Sequence, residues 1–190
     1  METINHENQT FEKINFSEKE LKNSTFEKCV FTNCDFSTIS LAHTSFSECK
    51  FIGCNLALTK LQSSHLKDVS FKDCKLIGVN FYECIDFLFC VNFDHCIMDY
   101  VSFVGKKMTK TNFLECSLKD ANFSNADLSS STFKNSNLEG CIFNKTQLKN
   151  VDFTTAFNFT LDPEINFIKK AKFSRDSLLG LLAKYDIVVE

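Results

Sequence analysis

The chain places an apolar residue at every fifth position over most of its length. Read in fives, the stretch from Thr111 to Thr155 becomes TNFLE, CSLKD, ANFSN, ADLSS, STFKN, SNLEG, CIFNK, TQLKN and VDFTT. The third letter of each group is Phe or Leu, the first is small, and the others are mostly polar. A period of five matches neither the 3.6 residues of an α-helical turn nor the two-residue alternation of a strand. The pattern therefore predicts a repeat protein.

The apolar centres extend well beyond this stretch. They begin at Phe11 and keep one register to Phe81, where the next centre would be Asp86, which cannot fill an apolar position. A two-residue insertion, placed as a bulge within residues 82–87, restores the register at Leu88, and the repeat then runs to Phe153. This predicts an N-terminal tail at 1–8, a repeat body at 9–155 and a C-terminal cap at 156–190.

Sorting the centres by twenty residues brings like side chains together. One column is Phe throughout: Phe11, Phe31, Phe51, Phe71, Phe93, Phe113, Phe133 and Phe153. A second column reads Phe16, Phe36, Leu56, Leu76, Met98, Leu118 and Leu138. Like residues stacked on like residues favour a solenoid with four pentapeptides per coil and with these columns buried.

Composition narrows the class of protein. The chain has 190 residues with 22 Phe, no Trp and a net charge of −3, which is neither the basic signature of a nucleic-acid binder nor the acidity of a disordered tail. No apolar run approaches the roughly 18 residues of a membrane-spanning helix. We expect a cytoplasmic protein with no membrane segment and no direct contact with nucleic acid.

The ten cysteines follow the repeat rather than a disulfide framework. Eight occupy the small slot two residues before an apolar centre: Cys29, Cys34, Cys49, Cys54, Cys74, Cys96, Cys116 and Cys141. Cys84 keeps the same phase. In such slots Cys behaves as a small buried residue, so free thiols are expected.

The motif A/C/S/T/V-(D/N/x)-(F/L)-x-x, held over residues 9–155, resembles the pentapeptide-repeat family. The resemblance implies an all-β solenoid, a right-handed quadrilateral β-helix in which four pentapeptides form one square coil. The number of centres gives about seven coils, a rod on the order of 35 Å long at about 4.8 Å per coil.

The C-terminal region follows a different pattern. Ser174 is a suitable N-cap, and four leucines after it predict a short α-helix that ends near Tyr185, weakened by Gly180. Residues 187–189 are predicted to form a closing strand.

This segment, FNFTLDPEINFIKKAKFSRDSLLGLLAKYDIVVE, resembles the ends of bacterial pentapeptide proteins of the Qnr and microcin-immunity types. The resemblance implies a homodimer joined through this end. The candidate contact residues are Leu178, Leu181, Leu182, Ile187 and Val189. Alternatively, these side chains pack on their own coil.

No arrangement of residues suggests catalysis. None of the four histidines has the spacing of a nucleophilic triad or of HExxH. Cys90, His95 and Cys96 lie beside the insertion, but their spacing is poor for zinc. We therefore expect a non-enzymatic protein without a cofactor or metal site.

The resemblance also implies a function, which is DNA mimicry. A rod of duplex-like width with a negative face would bind DNA gyrase or topoisomerase IV and protect it from quinolones or from a gyrase poison. The outward face of the second column is the most acidic, with Glu18, Asp35, Asp99, Asp120 and Glu139 as the candidate interaction residues. Lys106, Lys107 and Lys110 form a basic cluster where Qnr-type proteins carry a longer loop. The alternative function is a scaffold or interaction module for an unrelated protein partner.

Overall fold

The protein is a parallel β-solenoid closed at its C-terminal end by a short helical segment. The computed structural model describes residues 4–16, 21 and 24–188. The strands are β1 (Ile4–Glu7), β2 (Thr10–Glu12), β3 (Ser24–Glu27), β4 (Val30–Thr32), β5 (Ser45–Ser47), β6 (Lys50–Ile52), β7 (His65–Lys67), β8 (Val69–Lys72), β9 (Val91–Asp94) and β10 (Phe113–Leu114). The helices are a 3-10 turn at Phe81–Glu83, a 3-10 turn at Asp176–Leu178, α1 (Leu179–Leu182) and a 3-10 turn at Ala183–Tyr185.

The strands form two sheets that run along neighbouring faces of the rod. One sheet has the order β1-β3-β5-β7 and the other the order β10-β9-β8-β6-β4-β2, and every pairing is parallel. The register advances by one coil of twenty residues, as in Phe31↔Phe51. Each strand therefore pairs with the strand one coil away, as the twenty-residue columns predict.

Regular strands cover only part of the rod. The larger sheet has six strands joined by five pairings, fewer levels than the predicted seven coils. Beyond the last strand, the pairing between coils continues as isolated parallel bridges that link Asn112, Thr132, Asp152 and Lys172 in turn. Over residues 116–155 each pentapeptide turns directly after its centre, so only one residue per face forms a bridge.

The interior consists of stacked rings. Along the all-Phe column, Phe31 and Phe51 stack with centroids 4.7 Å apart, and Phe113 and Phe133 stack at the same 4.7 Å. The stack continues past the predicted repeat to Phe173, which lies 5.3 Å from Phe153. These distances match the spacing of adjacent strands, so each coil adds one ring to the column.

The small slot carries a hydrogen-bonding role as well as a steric one. Its side chain donates to the carbonyl oxygen of the centre 23 residues earlier, as Thr59 does to Phe36 at 2.7 Å and Ser64 to Leu41 at 2.6 Å. Cys49 donates to Phe26 in the same way at 3.4 Å. Because a buried carbonyl is costly to leave unpaired, this slot selects Cys, Ser and Thr and not only the apolar Ala and Val.

The register changes at the predicted insertion. Val69 pairs with Val91, an offset of 22 residues instead of twenty. The inward position after the insertion is filled by Phe89, which is 8% exposed, whereas Leu88 is 54% exposed. The prediction of Leu88 as the restored centre is therefore wrong, because Leu88 is a turn residue with a φ of 59°.

The C-terminal helix is assembled largely from 3-10 turns around the four residues of α1. Ser174 caps it, since its Oγ accepts a hydrogen bond from the Ser177 amide at 3.2 Å. Residues 186–188 form no strand, so the predicted closing strand is wrong for this part, and residues 189–190 lie outside the described residues.

Gly180 has a packing role there. A Cβ on this residue would lie 2.3 Å from the carbonyl oxygen of Phe159, so only glycine lets the helix approach the last coil this closely. The Gly180 carbonyl in turn accepts from the Leu161 amide at 2.9 Å.

Candidate interaction surfaces

Three of the predicted acidic residues lie close together on the outward face of the second column. Asp99 Oδ1 accepts hydrogen bonds from Ser117 Oγ at 2.6 Å and from the Lys119 amide at 3.0 Å. Glu139 pairs with Lys119 at 2.9 Å, and Asp120 is exposed beside them. The hydrogen bond between Lys119 and Glu139 lowers the pKa of Glu139 and raises the pKa of Lys119. We call Asp99, Asp120 and Glu139 the acidic ridge.

The other two predicted acidic residues are not part of this ridge. Asp35 lies on the same face, but the bridges through Asn55 and Lys75 separate it from the level of Ile97. Its carboxylate accepts from the Ser37 amide at 2.8 Å, as a turn residue does. Glu18 lies outside the described residues.

The predicted basic cluster is divided by the fold. Lys107 and Lys110 are exposed, but Lys106 is only 2% exposed and points into the rod. Its ammonium donates to the carbonyl oxygen of Cys84 and to Asp86 Oδ1, the latter at 2.6 Å, and lies 5.1 Å from the centroid of the Phe89 ring. Lys106 is therefore buried and does not form a basic cluster at the surface with Lys107 and Lys110.

Two residues near the insertion depart from the repeat pattern, and Lys106 is one of them. Asp86 takes the sequence position of an apolar centre, and Lys106 takes that of a small slot. Lys106 is buried, Asp86 is exposed, and the two form an ion pair. Their ion pair holds the loop between Ile85 and Cys90, in which the Phe87 side chain is 74% exposed. The signal in the sequence was the pair of opposite charges, twenty residues apart, at positions where the repeat calls for small or apolar residues.

The C-terminal cap is tied to the last coil by ion pairs. Lys184 lies 2.8 Å from Asp162 and 2.6 Å from Glu164, and the Tyr185 hydroxyl donates to Glu164 at 2.9 Å. Although desolvation opposes its charge, these carboxylates raise the pKa of Lys184, while hydrogen bonds from Lys184 lower the pKa values of Asp162 and Glu164.

The outer side of the cap is apolar. Leu178, Leu182 and Ile187 are 44%, 37% and 55% exposed. Leu181 instead packs against the core, so for this residue the alternative of packing on its own coil holds. Val189 lies outside the described residues. The exposed apolar surface, which we call the cap patch, also includes three residues that are not among the candidate contact residues: Leu179, Tyr185 and Val188.

The residues considered as metal ligands do not converge. Cys96 is buried in the rod, Cys90 is exposed, and His95 pairs with Asp94 at 2.6 Å and with Glu115 at 2.8 Å. The hydrogen bond to Asp94 raises the pKa of His95. Within residues 4–16, 21 and 24–188, no group of three or more His, Cys, Asp or Glu side chains is arranged to hold a metal ion. No helix in the same residues is long and apolar enough to cross a membrane.

Comparison with known families identifies the repeat. The model of the pentapeptide repeat region matches residues 24–86 and 87–153. The chain belongs to the pentapeptide-repeat family. The two matches meet at the insertion, so this pentapeptide-repeat chain carries its register change at the junction of two repeat blocks.

Two solved structures of QnrB1, a plasmid-mediated fluoroquinolone resistance protein, resemble the whole chain. One trypsin-treated variant has a TM-score of 0.63 at 17% identity and covers 99% of this chain and 98% of its own. A second has a TM-score of 0.62 at 16% identity and covers 100% of both chains. At this identity the likeness shows the fold alone. HetL, a protein involved in heterocyst differentiation regulation from the cyanobacterium Nostoc, matches with a TM-score of 0.34 at 15% identity over 89% of this chain and 86% of its own. No curated protein sequence matches the chain.

Proposed function

We propose that this pentapeptide-repeat protein is a non-enzymatic, cytoplasmic binding protein that contacts a type II topoisomerase, DNA gyrase or topoisomerase IV, through the acidic ridge, as a mimic of DNA. The observation that carries the proposal is the ridge itself, with Asp99, Asp120 and Glu139 on one face of the solenoid. The end-to-end likeness to QnrB1, a fluoroquinolone resistance protein, supports the choice of partner.

The ridge reproduces only part of the charge of DNA. Three carboxylates and the ammonium of Lys119 give a net −2 over three coils, or about one charge per 7 Å at about 4.8 Å per coil. Duplex DNA carries one charge per roughly 1.7 Å. The contact therefore has a weaker salt dependence than DNA binding and relies on the shape of the rod as much as on its charge.

Binding to purified gyrase subunits tests the role of the ridge. The double variant Asp120→Asn/Glu139→Gln removes two charges without adding bulk and should weaken binding about tenfold, while Lys119→Gln removes the compensating cation and should strengthen it. The matched control is Asp73→Asn/Glu48→Gln, which removes two charges from turn positions on other faces, where φ is 54° and 55° against 54° at Asp120.

Gyrase binding by the ridge variant, compared with that by the control variant, tests charge mimicry. A ridge variant that binds gyrase as well as the control does, with its fold intact, contradicts charge mimicry. A wild-type protein that captures an unrelated protein and no gyrase from a bacterial lysate favours the scaffold function instead.

We further propose that the cap patch joins two copies of the chain into a homodimer. The patch is an exposed apolar surface at the C-terminal end of the rod, whereas the faces of the rod are polar. A symmetric contact between the patches of two copies would bury this apolar surface. Leu182→Asp should convert the protein to a monomer in sedimentation velocity. Leu58→Asp changes a 57% exposed leucine in the N-terminal half and should leave the dimer unchanged.

A further inference from the structure

Five cysteines form one continuous column inside the rod. They are Cys34, Cys54, Cys74, Cys96 and Cys116, which occupy the small slot of the second column in five successive coils. Each is at most 2% exposed. All are free thiols. We call this set the thiol column.

Neighbouring cysteines in the column lie one coil apart. The Cys54 amide lies 3.4 Å from Cys74 Sγ. The rise between these levels is given by the all-Phe column, where Phe31 to Phe51 is 4.7 Å and Phe51 to Phe71 is 5.0 Å. At the next level, Phe71 to Phe93, it is 5.3 Å.

This spacing suits one kind of metal coordination. A metal–thiolate bond of about 2.3 Å gives a linear sulfur–metal–sulfur unit of about 4.6 Å. That length is about 0.1 to 0.7 Å shorter than the coil spacings of 4.7 to 5.3 Å, a difference that rotation about the Cys Cα–Cβ bonds can close. A tetrahedral ion such as zinc needs four ligands in four directions, whereas these thiols lie in a line and, among the described residues, no three-ligand group exists.

The chemistry of the donors points the same way. Thiolates are soft ligands that select soft ions such as Cu(I). Each ion held between two cysteines displaces two thiol protons, so a divalent ion gives a neutral unit that the apolar interior tolerates, and a monovalent ion gives a single negative charge.

We propose that the thiol column is a binding site for soft, two-coordinate metal ions of the Ag(I), Cu(I) and Hg(II) class. The bound ion replaces the S–H···O bonds that the thiols make in its absence, such as those from Cys54 to Phe31 and from Cys74 to Phe51. Since the ligands must lose their protons, binding weakens as the pH falls.

Two serine substitutions separate every pair of neighbours in the column. In Cys54→Ser/Cys96→Ser the remaining thiols of Cys34, Cys74 and Cys116 are each two coils apart. Serine suits this slot, because Ser136 occupies it in the next coil and donates to the Phe113 carbonyl at 3.1 Å. The matched control, Cys84→Ser/Cys141→Ser, removes two buried thiols outside the column.

The experiment counts bound Ag(I) by native mass spectrometry, on reduced full-length protein in the Cys90→Ser background, with a small thiol present to remove loosely held ions. The wild-type column should hold at least two ions, and the pair Cys29 and Cys49, adjacent in another column, one more. The control should keep all of them, and the column variant should keep only the last. Equal stoichiometry in both variants means adventitious binding only and overturns the proposal.

A second measurement needs no substitution. X-ray absorption of the Ag(I)-loaded wild-type protein should show two sulfur neighbours per ion and no nitrogen or oxygen. Three or more sulfur neighbours, or mixed ligands, would place the metal elsewhere and contradict the linear site even if the variants failed to fold. Neither readout depends on topoisomerase binding.

Discussion

Replacing Asp86 by Asn should destabilise the solenoid through Lys106, which lies one coil away. The Lys106 side chain is 2% exposed, while that of Asp86 is 76% exposed. Removing Asp86 leaves a buried ammonium whose protein partners are the Cys84 carbonyl and the Phe89 ring. The amide oxygen that replaces the carboxylate can still accept a hydrogen bond from Lys106, so the main cost is the uncompensated charge.

The exposure of Asp86 determines how much stability the Asp86→Asn substitution costs. Breaking a fully buried ion pair by removing one partner costs roughly 3 to 5 kcal/mol. Because the Asp86 carboxylate is largely solvated, its attraction for Lys106 is screened, and we expect Asp86→Asn to cost about 1 to 3 kcal/mol. Lys106→Met keeps an unbranched apolar stem and removes the charge, so it should be within about 1.5 kcal/mol of the wild type or more stable.

A double-mutant cycle in urea separates the two effects. In the Lys106→Met background, Asp86→Asn should cost no more than about 0.5 kcal/mol, the usual range for a surface change. Glu48→Gln, an exposed turn substitution, is the control and should be near neutral in both backgrounds. An equal cost of Asp86→Asn with and without Lys106 would refute the argument, because the loop would then depend on Asp86 for another reason.

Three further predictions concern the core and the cap. Phe113→Ala removes a fully buried ring of the all-Phe column and should lower the free energy of unfolding by roughly 3 to 5 kcal/mol, and an unchanged denaturation midpoint would contradict the stack. Gly180→Ala should release the cap, since its Cβ would meet the Phe159 carbonyl, and hydrogen exchange at residues 176–188 should rise while the coils stay protected. The pKa of Asp162 is lowered by Lys184, so the stability it contributes is present above the ordinary carboxyl pKa and is lost as the pH falls through the lowered value. Proteolysis of the cap should therefore rise in acid in the wild type and vary less with pH in Asp162→Asn.

Much of the fold could be predicted because the repeat is dictated by packing. One inward apolar side chain on each of the four faces of a coil requires a Phe or Leu every fifth residue, so columns of twenty directly give the pairing that Phe31 and Phe51 show. The cysteines were assigned to the interior for the same reason. The hydrogen bond from the small slot to the previous coil is also visible in the sequence, as the preference for Cys, Ser and Thr.

The insertion, the cap and the acidic ridge could not be predicted from the repeat. At the insertion, the periodicity offered Leu88 as the next centre, but a loop can place either of two adjacent apolar residues inward, and Phe89 fills the space beside Lys106. In the cap, the leucine pattern predicts a helix but not which leucines face the coil, so Leu181 is among the candidate dimer contacts although it packs against the core. The acidic ridge is set by outward residues, on which the repeat places no constraint.

The proposed contact with a type II topoisomerase is tested most directly by DNA gyrase supercoiling, with and without a quinolone, as the purified protein is titrated in. The account predicts that micromolar protein changes gyrase activity or restores supercoiling in the presence of the drug, and that Asp120→Asn/Glu139→Gln loses this effect while Asp73→Asn/Glu48→Gln keeps it. No effect of the folded wild-type protein on either reaction would contradict the proposed function.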